Sequence, residues 1–146
     1  MAEACRCVVM VSGSGSNLQA LLDRAAEGSL GAEVTAVVSN RPDAYALERA
    51  RSAGVATQVV DHTAFPDRAT FDAALEDAVA RFQPDLVVMA GFMRVLTPDF
   101  VARFKGRLIN VHPSLLPAFR GLHTHRKALE EGCRIHGTTV HFVTED

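Results

Sequence analysis

The sequence predicts an α/β fold: a doubly wound, mostly parallel sheet with helices on both faces. Three observations carry that expectation. Short β-branched runs alternate with stretches of helical periodicity along the chain. The run Leu86–Ala90 is unbroken apolar, as in strands covered on both faces. A glycine-rich turn, Ser12-Gly13-Ser14-Gly15, directly follows the first run and opens the first helical stretch.

The elements follow in order. Cys5–Val11 reads as a buried strand ending in glycines. Asn17–Glu27 sets Leu18, Leu21, Leu22 and Ala25 on one helical face, with Gly28 as the stop. Val34–Ser39 is a second strand, followed by the turn Asn40-Arg41-Pro42-Asp43. A helix over Ala44–Ala53 turns Leu47 and Ala50 inward and ends at Gly54, before a short strand at Thr57–Val60. Asp67–Phe82 is a longer helix, with Phe71, Ala74, Leu75, Ala78 and Phe82 at helical spacing, and Leu86–Ala90 is the fourth strand. Thr97-Pro98 opens a short helix, a cap followed by proline in the first turn. Leu108–Val111 is a fifth strand, Thr124–Glu131 a helix closing at Gly132, and Thr138–Val143 a last strand. Such alternation implies right-handed crossovers and a Rossmann-like sheet, in which ligands bind beyond the carboxyl ends of the strands.

The 146 residues fit one domain, spanning 1–146, with enough chain to bury a core. A composition of 48% hydrophobic and 22% charged residues is that of a soluble globular protein. The formal net charge is −2 and no lysine/arginine block occurs, which argues against a nucleic-acid or anionic-membrane partner. No apolar run is long enough to span a membrane, and the N-terminus lacks the pattern of a secretory signal, so a cytoplasmic location is expected. Three cysteines make no disulfide framework. Cys5 and Cys7 are too close for an unstrained bridge, and without a second pair at zinc spacing they read as packing residues.

Two constellations carry chemistry. In Ser12-Gly13-Ser14-Gly15-Ser16-Asn17, glycines let the backbone approach an anion while open N–H groups at a helix start point at it. A dinucleotide fingerprint is only partly matched: Leu18 stands where its third glycine would fall, and Val38-Ser39-Asn40 lacks the acidic residue expected after the second strand. A phosphate monoester site is the better reading; the alternative is a glycine turn with Ser16 or Asn17 as a helix cap. In Asn110-Val111-His112-Pro113, residues two apart on a strand point to one side, and Pro113 and Pro117 bracket a stiff loop. A carboxamide donor beside an imidazole suits acyl transfer, because the amide stabilises a developing oxyanion and the imidazole handles proton or charge.

Other segments are less decisive. Ala90–Thr97 is semi-apolar and either lines a slot for a flat ring system or simply covers the core. His123 and His125 lack the carboxylate or cysteine that would complete a metal site, so no metal is expected. His141 reads as a hydrogen-bonded core or supporting histidine, His62 and His136 have no context, and Arg68 is a candidate ligand cation on an otherwise solvated helix face.

Together these segments resemble the phosphoribosylglycinamide formyltransferase family. The matching pieces are Val11–Ala20, Ala90–Arg94, Ile109–Pro117, Gly121–His125 and Gly137–Val143, in order over essentially the whole chain. The Asn110–Pro117 run is shared with other folate-dependent formyltransferases, and the Gly15-Ser16-Asn17 loop narrows the resemblance to the glycinamide ribonucleotide branch. It implies formyl transfer from 10-formyltetrahydrofolate to the primary amine of glycinamide ribonucleotide, a step of purine biosynthesis. Gly15, Ser16 and Asn17 would hold the substrate phosphate; Arg68, Met93, Arg94, Val95, Leu96 and Asn110 would contact the folate; Asn110 and His112 would be catalytic. The family's third catalytic group, an aspartate before two glycines, would fall two positions past Asp146. The domain is therefore expected to be truncated at its C-terminal end, and this piece alone to be inactive or nearly so. A homodimer is compatible with the resemblance. A formyltetrahydrofolate hydrolase, a methionyl-tRNA formyltransferase and a non-catalytic phosphate-binding module are the alternatives. The first usually carries an added regulatory domain, the second needs a basic surface, and the third has no use for Asn110 beside His112.

Overall fold

The computed structural model describes residues 5–112 and 139–143. In chain order it contains β1 (Cys5–Val11), α1 (Ser16–Ala26), β2 (Ala32–Ser39), α2 (Tyr45–Ser52), β3 (Ala56–Val59), a 3-10 turn at His62–Ala64, α3 (Arg68–Ala80), β4 (Leu86–Met89), α4 (Pro98–Arg103), β5 (Leu108–His112) and β6 (Thr139–Phe142). The expected doubly wound sheet is present, with strand order β3-β2-β1-β4-β5-β6. Pairing is parallel from β3 through β5, and β6 runs antiparallel to β5. Boundaries differ from the sequence reading by a residue or two, the usual uncertainty of element ends. The helix expected over Thr124–Glu131 lies outside the described residues.

Side-chain alternation divides the core between the two faces. Val9, Val11, Val37, Val88 and Ala90 pack against Leu18 and Leu22 of α1 and Ala46 and Ala50 of α2. The intervening residues Val8, Met10, Ala36, Val38, Val87, Met89 and Leu108 pack against Phe71, Leu75 and Val79 of α3 and Phe100 of α4. Burial on both faces explains why these strands are continuous apolar runs, not alternating ones. Cys7 is buried beside Cys5 on β1, and burial pushes its thiol up to about 11, with Cys5 adding to the rise. That thiol stays protonated at neutral pH, as a packing residue would.

Asp67 caps α3, accepting from the Thr70 N–H at 2.7 Å, and this bond with that of the Thr70 hydroxyl holds its carboxyl below the ordinary carboxylate value. Thr97 caps α4, and Pro98 follows in the first turn, as its sequence implies. No helix among the described residues is long and apolar enough to cross a membrane.

The strand order reverses between β1 and β4. The chain winds outward from β1 to β2 and β3, then returns to the other side of β1. At such a switch point the loops leaving the two central strands diverge to opposite faces and open a crevice. The loops concerned are 12–15 after β1 and 90–97 after β4.

Candidate active site

The turn after β1 brings backbone very close to α2. Gly15 has φ +80 and ψ 29, a left-handed conformation that glycine adopts without strain, and it serves as the cap position of α1. A Cβ placed there would lie 2.6 Å from the Ala46 Cβ and 2.8 Å from its Cα. The Ala46 N–H donates to the Gly13 carbonyl at 3.0 Å, tying the turn to the start of α2. No side chain caps α1, and its first turn holds no acidic residue. Neither Ser16 nor Asn17 is therefore a helix cap. Both are exposed, beside open first-turn N–H groups.

Ser12, 3% exposed, joins this turn to the loop after β4. Its hydroxyl donates to the Asn40 Oδ1 and accepts from the Met93 N–H at 2.9 Å. Asn40, also buried, reaches the His62 ring, whose Nδ1 lies 3.1 Å from the Asn40 carbonyl. The ring packs edge-on against Phe71. His62 thus has a clear place in the fold, holding the ends of β1, β2 and β4 in one polar chain. Sequence reading found no context for it because its partners are distant along the chain.

The segment after β4 is fixed from the α3 side. Arg68 donates from Nη2 to the Leu96 carbonyl at 2.9 Å, and Asp72 accepts the Thr97 N–H at 2.6 Å. Arg94 lies over the Phe71 ring at 5.2 Å. Phe92 and Leu96 point into the core, while Met93 and Val95 are 59% and 79% exposed. Alternate residues of this segment cover the core, and the others leave an apolar surface open. Asp72 is buried, and its second oxygen has no partner among the described residues. Replacing Asp72 by Ala strands the Thr97 N–H and is expected to destabilise the protein by about 2 kcal/mol. A urea unfolding midpoint unchanged from the parent would contradict that.

Asn110 lies on β5, paired with Met89 of β4 and with His141 of β6. It is half-buried, and among the described residues its carboxamide makes no hydrogen bond. Leu108, two residues earlier, faces α3 and α4, and alternation puts Asn110 on that same face as the 90–97 segment. His112 ends β5, paired with Thr139. The bracketing loop at Pro113–Pro117 and the pair His123 and His125 lie outside the described residues. Among the described residues no group of three His, Cys, Asp or Glu side chains could hold a metal ion.

This crevice therefore joins a glycine turn with open N–H groups, a half-apolar loop, and a strand end bearing a carboxamide. A family model described as "Formyl transferase" matches residues 5–146. The phosphoribosylglycinamide formyltransferase of Escherichia coli is 52% identical over 139 residues, covering 95% of this chain and 66% of that protein. The human trifunctional purine biosynthetic protein adenosine-3 is 44% identical over 141 residues, covering 97% of this chain and 14% of its own length. The crystal structure of glycinamide ribonucleotide transformylase 1 from Symbiobacterium toebii superposes with a TM-score of 0.95 at 48% identity, covering 100% of this chain and 69% of that one.

Proposed function

Because the chain belongs to the formyl transferase family, we propose that the whole protein transfers a formyl group from 10-formyltetrahydrofolate to the primary amine of glycinamide ribonucleotide. The observation that carries this reading is the Met93 N–H bond to Ser12 across the switch point. It sets the glycine turn and the half-apolar loop side by side, at the end of the strand that pairs with Asn110. Gly15, Ser16 and Asn17 bind the phosphate through backbone N–H groups and the two polar side chains. The folate is a flat ring system with a polar edge. The exposed faces of Met93 and Val95 suit its ring, while Arg68, Arg94 and the backbone of Leu96 border the same segment.

In this mechanism the substrate amine adds to the formyl carbon, forming the new carbon–nitrogen bond. Asn110 donates an N–H to the carbonyl oxygen as it gains negative charge. His112, charged or neutral, compensates that charge or moves the amine proton. Collapse restores the carbonyl and breaks the bond to the folate nitrogen, which receives the proton. The reaction belongs to purine biosynthesis, in keeping with the names of the relatives, and a cytoplasmic location follows from that role.

Ligand binding to the native state raises its stability by about 2.7 kcal/mol at a hundredfold excess over Kd. Glycinamide ribonucleotide is accordingly expected to raise the unfolding temperature of the whole protein. An unmoved transition at saturating ligand, with no formylated product in a turnover assay, would sink the proposal.

A further inference from the structure

We infer that Arg49 is a positioning residue of the phosphate loop: it clamps the Ser14–Gly15 peptide from behind and adds positive charge beside it. The inference rests on the proposed reading of Gly15, Ser16 and Asn17 as the phosphate cradle. Arg49 is half-buried on α2. Its Nε donates to the Ser14 carbonyl at 2.7 Å, and its Nη1 donates to the Gln19 Oε1 at 3.2 Å. The guanidinium lies 4.9 Å from the centre of the Tyr45 ring. Its Cδ is also 3.3 Å from where a Cβ on Gly15 would sit. Contacts with three residues therefore fix the fork against the turn.

The charge of this fork has no carboxylate partner among the described residues. Other arginines nearby do: Arg51 pairs with Glu48, Arg41 with Asp43 and Arg24 with Glu27. A half-buried guanidinium with no carboxylate partner among the described residues, held behind a turn of open N–H groups, is suited to an anion arriving from outside. The coupling has a chemical route. The Ser14 carbonyl and the Gly15 N–H belong to one amide, and no described residue accepts that N–H. A charge-assisted bond to the carbonyl polarises the amide and strengthens its N–H as a donor to phosphate. Arg49 thus acts on the phosphate through the peptide and through its field, without contacting the reacting atoms.

The test compares glycinamide ribonucleotide with its dephosphorylated riboside as substrates of the whole protein, for the parent, Arg49→Met and Arg49→Lys. Methionine keeps the apolar stem and removes the charge. It is expected to lower kcat/KM about tenfold for the ribonucleotide, through KM, and to leave the riboside unaffected. Lysine, which keeps a cation within reach of the turn, should recover most of that loss. If Arg49→Met falls equally on both substrates, or on neither, Arg49 is only a strap between helices and the inference fails. Should Arg49→Met not fold, the same comparison on Arg49→Gln, which also removes the charge, decides: a loss confined to the ribonucleotide supports the inference, and a loss shared by both substrates, or none, overturns it. A parent protein that does not prefer the ribonucleotide overturns the phosphate-loop reading itself, and that result appears before any variant is made.

Discussion

Replacing Asn110 by alanine is expected to lower kcat/KM for formyl transfer by about 10²–10³-fold, the usual cost of removing one oxyanion donor. The size of the effect follows from position. Asn110 sits at the carboxyl end of β5, on the face shared with the 90–97 segment, in register with Met89. Among the described residues its carboxamide has no hydrogen-bond partner. A half-exposed polar side chain contributes little to folding, and the alanine variant should unfold within about 0.5 kcal/mol of the parent. Affinity for ribose 5-phosphate should also be unchanged, because the proposed phosphate loop follows a different strand. Asn110→Asp is a sharper variant: it keeps the shape but replaces a donor with an acceptor and places a negative charge beside the developing oxyanion. Its activity should be no higher than that of the alanine variant. Steady-state kinetics with both substrates checks both substitutions. An Asn110→Ala enzyme within threefold of the parent would remove Asn110 from the chemistry.

The second large effect concerns Gly15. A methyl group there meets Ala46 at 2.6 Å on Cβ and 2.8 Å on Cα, and the backbone must also hold a left-handed conformation that a Cβ disfavours. Left-handed strain and overpacking together are expected to destabilise Gly15→Ala by about 3 kcal/mol. The clash is with backbone, so relief requires moving α2 away from the turn, which takes Arg49 and the loop N–H groups out of register. Phosphate affinity should fall with stability, by more than about tenfold for any well-formed anion site of several donors. Gly13 is the internal control. It has nothing within 4 Å of an added Cβ, and its φ is not positive. Gly13→Ala should therefore lie within about 1 kcal/mol of the parent. Equal urea midpoints for the two variants would show that the approach to Ala46 carries no such cost.

Much of this architecture was legible along the chain because its signals are local. Leu86–Ala90 is apolar at every position, which is readable wherever a strand is covered on both faces. Thr97-Pro98 and Asp67 mark helix starts because a cap and its N–H partner are only three residues apart. The place of the glycine turn between strand and helix, and of Asn110 and His112 at the end of one strand, could likewise be read from local spacing.

Other features required the sheet to be assembled. The direction of β6 depends on how the chain returns to β5, which no periodicity encodes. The Ser12–Asn40–His62 chain and the Met93 bond join residues far apart in sequence, and they meet only because β1, β2 and β4 are neighbours. Leu96 illustrates the same division: its side chain belongs to the core, while its carbonyl accepts from Arg68 on a distant helix. Arg49 looks like one more charged residue on a helix until α2 is laid against the turn after β1. By itself, then, the sequence determined the fold class, the caps and the chemistry-bearing residue types, since each follows from neighbours on the chain. The tertiary structure alone decided which loops share the crevice, because strand order, not sequence distance, sets what touches what.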